Sequence, residues 1–142
     1  MIRWLLDTDI VSLWAQGNAA ICQRLIAMPS DELAISIVTA EELLGGWYAD
    51  LRKARTDDRL LWTYSSLETT LAFLRRITVI SFDAAALQLA QKYRSQKIRV
   101  GTNDLRIAAT ASSRNLILVT RNVSDFGLIP GLTLNVCDER QF

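Results

Sequence analysis

Hydrophobic residues gather in four short runs along the chain, separated by longer mixed stretches. Each run is rich in β-branched residues and continuous rather than alternating, which is typical of strands buried on both faces of a parallel sheet. The stretches between them are long enough to form helical crossovers. The predicted strands are Ile2–Leu6, Leu33–Val38, Ile77–Phe82 and Leu116–Thr120. The pattern therefore predicts an α/β sandwich with a central, mostly parallel sheet flanked by helices.

Helical periodicity is clearest between the second and third runs, where apolar residues recur at spacings of four and three. This spacing predicts one apolar stripe on a long helix, packed in the core. The stripe consists of Leu60, Tyr64, Leu67, Leu71 and Leu74. Asp83 is expected to cap the next helix, and Leu134 and Val136 predict a final edge strand. Without a linker or an internal repeat, residues 1–142 are expected to form a single domain.

Composition then limits the chemistry. The 142-residue chain has 16 Lys and Arg residues, 15 Asp and Glu residues and no histidine. The missing histidine excludes Ser-His-Asp and Cys-His catalysis and histidine-based zinc sites. A net charge of +1 argues against gripping nucleic acid by bulk charge, but it permits a local basic patch. An enzyme of this composition must rely on carboxylates or hydroxyls.

Cysteine usage and the N-terminus bear on the compartment. Cys22 and Cys137 are isolated and form no CxxC motif. Asp7 interrupts the region where a signal peptide would need an apolar run, and no stretch approaches the length of a membrane span. We therefore expect a protein of the reducing cytoplasm with no membrane partner.

Acidic residues fall where a parallel sheet would place a site. In open parallel sheets, ligands bind beyond the carboxyl ends of the strands. Four acids follow a predicted strand or open a helix near one: Asp7, Glu42, Asp104 and Asp125. One shared location for four acids is more than independent helix capping requires.

Helix capping is an ordinary explanation for three of these acids; it explains the first one less well, because its neighbour can cap the same helix and one cap needs one acid. Asp9 is expected to cap the helix after the first strand. Thr39 and Glu42 have the spacing of a capping box, in which Glu42 would bond back to the Thr39 amide. Asp104 is expected in the first turn of its helix, where the helix dipole favours a negative charge. Asp125 has the context of an N-cap after an ordinary polar turn.

Converging carboxylates would need a cation, because like charges in contact raise one another's pKa. Mg²⁺ or Mn²⁺ is bound by a few carboxylates, keeps several waters and leaves room for a substrate phosphate. Such an ion can activate water for attack on a phosphodiester. The candidate substrate contacts around this site are Thr8, Thr120, Asn122 and Arg106.

Four sequence blocks resemble, in order, those of the PIN-domain ribonucleases, and within that family the VapC toxins of bacterial toxin–antitoxin pairs. The blocks are Leu6–Asp9, Ser36–Gly45, Gly101–Ala109 and Leu118–Phe126. The resemblance implies a three-layer PIN-like sandwich and Mg²⁺-dependent endonucleolytic cleavage of RNA, often tRNA. It also implies homodimerisation and inhibition by a cognate antitoxin.

The resemblance assigns roles by position. Asp7, Glu42 and Asp104 correspond to the metal-site acids of the family. Many members carry a fourth acid where this chain has Asn122. Asp125 is the nearest substitute, directly or through water, which makes Asp7, Glu42, Asp104 and Asp125 the expected catalytic set.

Basic and aromatic residues suggest where RNA would lie. A first basic arm, Arg52, Lys53, Arg55 and Arg59, follows Glu42, and a second basic run surrounds Asp104. Four aromatics interleave with the first arm and either stack on bases or pack in the core or under a partner: Trp47, Tyr48, Trp62 and Tyr64.

Two other functions remain open. Asp7 and Asp9 also fit the opening motif of haloacid-dehalogenase-type phosphohydrolases, in which the first Asp is the nucleophile and the second the general acid. Alternatively, the departure at Asn122 suits a PIN-like module that binds RNA or protein without cleaving.

Overall fold

Five short strands form the central sheet, and all of them run parallel. The computed structural model describes residues 1–137, so the last five residues of the expected single domain, 138–142, lie outside the described part. The strands are β1 (Trp4–Leu6), β2 (Leu33–Ser36), β3 (Thr78–Ile80), β4 (Ile117–Thr120) and β5 (Leu134–Val136). Their order across the sheet is β3-β2-β1-β4-β5. The predicted parallel sheet and its edge strand β5 are confirmed.

Helices connect and cover these strands. Within residues 1–137 they are α1 (Thr8–Ala15), α2 (Ala19–Ile26), α3 (Ile37–Lys53), α4 (Asp57–Arg76), α5 (Ala84–Ser95), α6 (Thr102–Ser113) and α7 (Val123–Phe126). Asp83 caps α5 as predicted, because its Oδ1 accepts a hydrogen bond from the Ala86 amide at 3.0 Å. None of the helices in this part of the chain is long and apolar enough to cross a membrane.

Two hydrophobic clusters cover the two faces of the sheet. Successive side chains of a strand point to opposite faces. Leu5 of β1 and Leu118 of β4 therefore join one cluster with α6, while Leu6 and Val119 join the other with α1 and α2. This layering makes a three-layer α/β sandwich, whose buried Leu, Ile and Val side chains each contribute about 1.5–3 kcal/mol.

The second strand is shorter than its hydrophobic run predicts. It ends at Ser36, and the Ser36 Oγ accepts a hydrogen bond from the Val38 amide at 3.0 Å, which caps α3. Ile37 and Val38 therefore open a helix, and their placement in a strand is wrong. β-branched residues do not distinguish the last residues of a strand from the first turn of a helix.

The sequence predicted that the apolar stripe on α4 packs in the core along its whole length, and this prediction is wrong for part of the stripe. Leu60, Tyr64 and Leu71 are 37%, 55% and 44% exposed. α4 packs against α3 as a helical hairpin, and its last turns reach the sheet, where Phe73 and Leu74 join the core. Periodicity identifies an apolar face, but it does not show whether a neighbour covers that face.

The chain changes direction across the sheet at β1. It runs outward from β1 to β2 and β3, then crosses to β4 on the other side of β1 and continues to β5. In open parallel sheets a ligand crevice forms at such a point, beyond the carboxyl ends of the strands. The Asp7 amide donates to the Val119 carbonyl at 3.1 Å, so the segments leaving β1 and β4 start side by side there.

Candidate active site

Asp7 is the buried carboxylate at the centre of this crevice. It follows β1 directly and is only 3% exposed. The Ile10 amide donates to Asp7 Oδ1 at 2.8 Å, and the Thr120 hydroxyl, at the end of β4, donates to Oδ2 at 2.5 Å. Asp7 is thus the N-cap of α1, and the prediction that Asp9 caps this helix is wrong.

The electrostatics of Asp7 suit a site that gains positive charge. Burial raises the pKa of Asp7 from its ordinary 3.8 to about 6. The hydrogen bonds from Thr120 and Ile10 lower that pKa, whereas the nearby charges of Asp9 and Asp104 raise it further. Ionised Asp7 is therefore held at a cost, which a bound cation would offset.

Glu42 reaches the same region from α3. Its Oε1 accepts a hydrogen bond from the Thr8 hydroxyl at 2.8 Å, and the Thr8 Oγ1 lies 3.0 Å from the Thr39 Oγ1. The capping box predicted for Thr39 and Glu42 is wrong, because Ser36 caps α3 and Thr39 lies inside the helix. Glu42 is consequently held by the first residue of α1.

Asp104 lies in the first turn of α6, as predicted, and is half-buried. It lines the same cavity as Asp7. Its pKa is raised, first by burial and then by the negative charges of Glu42 and Asp125. The structure therefore brings Asp7 and Asp104 together in one cavity, while Glu42 and Asp125 do not line that cavity but lie close enough to repel Asp104.

Asn122, at the position where the resemblance implies a fourth acid, holds Asp125. The Asn122 Oδ1 accepts from the Asp125 amide at 3.2 Å and caps α7. The Asn122 Nδ2 donates to Asp125 Oδ2 at 3.0 Å. Asp125 is therefore not the N-cap it was expected to be, because it lies inside α7 with its carboxylate oriented by Asn122.

Other polar side chains complete the cavity wall. Beside Asp7, Asp104 and Asn122, the lining includes Thr8, Asp9, Ser12, Arg121 and Ser124. Arg121 was not singled out from the sequence, although its place directly after β4 was the signal that could have found it. Its Nη2 lies 3.1 Å from Asp9 Oδ2, in an ion pair at the cavity wall.

Two predicted substrate contacts lie away from the cavity surface. Thr120 is fully buried, and its hydroxyl accepts from the Asn122 amide at 2.9 Å while donating to Asp7. Arg106 is exposed on α6, with its Nη1 3.5 Å from the Asn103 Oδ1, and does not line the cavity. The geometry gives Thr120 a part in positioning Asp7, while the substrate contacts of both residues stay predictions.

A largely apolar groove adjoins the acidic cavity between α1, α3 and α4. Its apolar wall consists of Val11, Trp14, Leu43, Trp47, Trp62 and Phe73, and Thr8 and Glu42 lie in the same lining. Trp47 Nε1 donates to Thr70 Oγ1 at 2.7 Å, and the rings of Trp47 and Trp62 meet edge to face at 5.5 Å. Trp62 is still 49% exposed. The groove is therefore built on α1 and the α3–α4 hairpin, and its lining includes Glu42.

The donor set fits a hard cation held by few protein ligands. Within residues 1–137, no three Asp, Glu, His or Cys side chains are close enough together to enclose an ion by themselves. Mg²⁺ sites commonly use one or two carboxylates and complete the shell with waters and substrate phosphate. Asp7 and Asp104 line one cavity and offer oxygen donors alone, while Glu42 and Asp125 lie near Asp104. This composition fits Mg²⁺ or Mn²⁺.

Known proteins resemble the chain over nearly its whole length. A family model described as "PIN domain" matches residues 4–127, which include all four acids. The tRNA(fMet)-specific endonuclease VapC of Shigella flexneri is 31% identical over 136 residues, covering 93% of this chain and 96% of the relative. The crystal structure of DNA-bound VapBC from Salmonella typhimurium has a TM-score of 0.80 at 26% identity, covering 97% of this chain and 100% of that chain. A toxin–antitoxin complex from Klebsiella pneumoniae has a TM-score of 0.72 at 28% identity, covering 95% and 98%.

Proposed function

Because the chain belongs to the PIN-domain family, and within it to the VapC ribonucleases, we propose that it is a metal-dependent endoribonuclease and the toxin of a toxin–antitoxin pair. The observation that carries the proposal is that Asp7 and Asp104 line one cavity beyond β1 and β4, with Glu42 and Asp125 close to Asp104. We propose that these four acids, which come from four separate segments, act together as one acidic centre. That arrangement suits hydrolysis of a phosphodiester by water, with no need for histidine.

Mg²⁺, or Mn²⁺ in its place, is the proposed cofactor. Asp7, Asp104 and Glu42 would hold it, and Asp125 would take part directly or through water. When bound, the ion supplies activation of water and stabilisation of the charge that develops on the phosphate. The chain's own contribution is orientation: Ile10 and Thr120 fix the two oxygens of Asp7, Thr8 fixes Glu42, and Asn122 fixes Asp125.

RNA is the proposed substrate, and tRNA is the first class to test because of the similar Shigella flexneri enzyme. Hydrolysis by activated water would leave a 5′-phosphate and a 3′-hydroxyl, as the family resemblance implies. Arg52, Lys53 and Arg55 are exposed around the end of α3 and are suited to contact phosphates of an extended substrate. Arg121, at the cavity wall, is suited to a phosphate nearer the acids.

A cognate antitoxin is the proposed protein partner, in line with the similar toxin–antitoxin complex. The groove between α1, α3 and α4 is the surface that best fits it, because its apolar lining adjoins Glu42 and a segment lying there would obstruct the acids. Homodimerisation and a location in the reducing cytoplasm complete the proposal. The cytoplasm suits Cys22 and Cys137, both of which are free thiols.

The proposal is tested by incubating the purified protein with total tRNA in Mg²⁺ and in EDTA, beside Asp104→Asn purified in parallel. Cleavage in Mg²⁺ that stops in EDTA and is absent in Asp104→Asn is the expected result. The same test distinguishes the ribonuclease from a module that binds RNA without cleaving it. Binding of tRNA with no cleavage of any RNA in either Mg²⁺ or Mn²⁺ would establish that alternative.

A further inference from the structure

Two threonine hydroxyls are connected to the Glu42 carboxylate by successive hydrogen bonds. Thr8 is the first residue of α1, directly after Asp7, and its Oγ1 contacts both Glu42 Oε1 at 2.8 Å and Thr39 Oγ1 at 3.0 Å. Thr39 is three residues before Glu42 on α3 and is fully buried. Thr8 and Thr39, called here the threonine pair, therefore join the helix that Asp7 caps to the helix that carries Glu42.

The direction of the hydrogen bonds follows from counting protons. A hydroxyl has one proton to donate, whereas an ionised carboxylate can only accept. The Thr8 proton must therefore go to Glu42, which leaves the Thr39 hydroxyl as the donor to Thr8. The resulting order is Thr39 to Thr8 to Glu42. Hydrogen bonds in such a chain polarise and strengthen one another.

The partner of Thr39 is unusual for a buried threonine in a helix of this protein. Thr63 and Thr110 are also fully buried in helices, and each donates to the carbonyl four residues earlier, Arg59 and Arg106, at 2.8 Å. Thr39 instead meets the hydroxyl of another helix. Thr39 lies in the first turn of α3, and the residue four positions earlier belongs to β2, so its hydroxyl is available to join α3 to α1.

We propose that Thr8 and Thr39 are positioning residues of the acidic centre, which fix the Glu42 carboxylate relative to Asp7 before a cation binds. The proposal rests on the proposed function, because it takes Glu42 to belong to the metal site. Neither threonine needs to touch the ion or the RNA. Their effect is to hold Glu42 in one orientation and to tie α3 to the start of α1.

Variants that keep the shape of threonine test the pair. Thr8→Val and Thr39→Val remove one hydroxyl each, while Thr8→Ser and Thr39→Ser retain it. Mn²⁺ binding is measured by calorimetry without RNA, and the Mg²⁺ concentration for half-maximal tRNA cleavage is measured separately. Thr63→Val is the matched control, because it removes a buried hydroxyl that bonds only within its own helix.

Loss of a group that orients a metal ligand typically weakens metal binding about 10- to 100-fold. We expect a loss in that range for Thr8→Val and a loss of up to about tenfold for Thr39→Val, since Thr39 acts through Thr8. Serine should restore binding at both positions. The double valine variant should bind Mn²⁺ no more weakly than Thr8→Val, because Thr39 acts only through the Thr8 hydroxyl, which is already absent. Thr63→Val should bind Mn²⁺ like the wild type.

Two failures can be told apart. If the wild-type protein binds no Mn²⁺ and cleaves no RNA, the proposed function fails. If the wild type does both and Thr39→Val binds Mn²⁺ as tightly as Thr63→Val does, the threonine pair has only a packing role. Equal losses in the serine and valine variants would also overturn the proposal, because the hydroxyl would then not be the cause.

Discussion

Asp7 accepts two hydrogen bonds that stabilise the fold, yet its ionised carboxylate is electrostatically unfavourable. It caps α1 through the Ile10 amide and binds the Thr120 hydroxyl, so both of its oxygens are oriented. Burial and the neighbouring acids nevertheless make its ionised form unfavourable. A residue needed only as a cap would not have to be buried among other acids. A bound cation would offset this unfavourable charge, which is why we link Asp7 to a metal site.

Asp7→Asn should stabilise the metal-free protein at high pH. The folded-state pKa of Asp7 is about 6, above its ordinary 3.8, so between these values the folded state holds a proton that the unfolded state has lost. Wild-type stability therefore falls as the pH rises through this window, by on the order of 3 kcal/mol. Asparagine keeps a cap acceptor without the charge. In EDTA at pH 8, its free energy of unfolding should be higher by about 2 kcal/mol, which is the roughly 3 kcal/mol of relieved charge less about 1 kcal/mol for the Thr120 hydrogen bond that an amide nitrogen cannot accept.

Urea unfolding in EDTA at pH 4, 6 and 8 measures this effect. The advantage of Asp7→Asn should disappear towards pH 4, where the folded wild type no longer carries the buried charge because its Asp7 carboxyl is protonated. Asp31→Asn, at an exposed acid before β2, should show no such pH dependence. An Asp7→Asn protein that is less stable than the wild type at pH 8 would contradict the electrostatic account of Asp7.

Asp9 separates the ribonuclease from the haloacid-dehalogenase-type alternative. Asp9 is 51% exposed in its side chain and pairs with Arg121, so it lies at the wall of the cavity. We expect Asp9→Asn to keep most of the tRNA cleavage, while Asp7→Asn and Asp104→Asn abolish it. Initial cleavage rates in Mg²⁺ measure this. Equal loss at Asp9 and Asp7, together with hydrolysis of an aryl phosphate, would support the phosphohydrolase.

At single residues, several helix caps were misassigned from the sequence. Asp7 rather than Asp9 caps α1, and Ser36 rather than Thr39 begins α3. Acceptor side chains one to three residues apart offer the same capping chemistry, and only the backbone direction at the strand end selects among them. The threonine pair was missed for a different reason, because residues 31 positions apart carry no local pattern of contact.

The start of α3 is the element whose geometry most directly places Glu42. Ser36 ends β2 and caps α3, so it fixes where the helix leaves the sheet. Ser36→Ala should lower the free energy of unfolding by about 1 kcal/mol, the usual cost of losing an N-cap. Urea unfolding measures the loss. Ser81→Ala, at an exposed serine outside the helices, should be near neutral, and equal effects at the two serines would contradict the assigned cap.

Among the elements, the strands were predictable and the environment of the α3–α4 hairpin was not. Strands β1, β3 and β4 lie within their predicted runs because buried parallel strands need continuous apolar residues. The α4 stripe has the same periodicity as a core helix, yet Tyr64 is 55% exposed. The α3–α4 hairpin extends past the sheet. The local sequence pattern does not show that, within residues 1–137, no other element covers the stripe there.

At the scale of the whole molecule, a net charge of +1 includes two distinct local groups of charge. Acids lie near one another beyond β1 and β4, while exposed basic side chains lie around the end of α3. From Glu42, ten residues of helix separate the acid from Arg52, a distance of about 15 Å at 1.5 Å per residue. A substrate that spans both must be extended, as an RNA strand or stem is.

The basic end of α3 should set RNA affinity without affecting the chemical step. Replacing Arg52, Lys53 and Arg55 together by Gln should weaken tRNA binding in EDTA and reduce its salt dependence, by about 0.7 in logarithmic slope for each lost phosphate contact. The cleavage rate at saturating tRNA should stay within about twofold, since each tenfold change in rate needs about 1.4 kcal/mol at the reacting groups. Filter binding between low and moderate salt measures the slope. The control is Arg75→Gln with Arg76→Gln, exposed at the end of α4; an equal loss there would indicate nonspecific attraction.

The whole account depends on four separate acids acting as one divalent-metal centre. Anomalous diffraction from crystals grown with Mn²⁺ tests this most directly, because it locates the ion independently of activity. The account predicts the strongest anomalous peak between the carboxylates of Asp7 and Asp104, and its loss in Asp104→Asn crystals. A peak elsewhere, or none at a Mn²⁺ concentration that supports RNA cleavage, would contradict it.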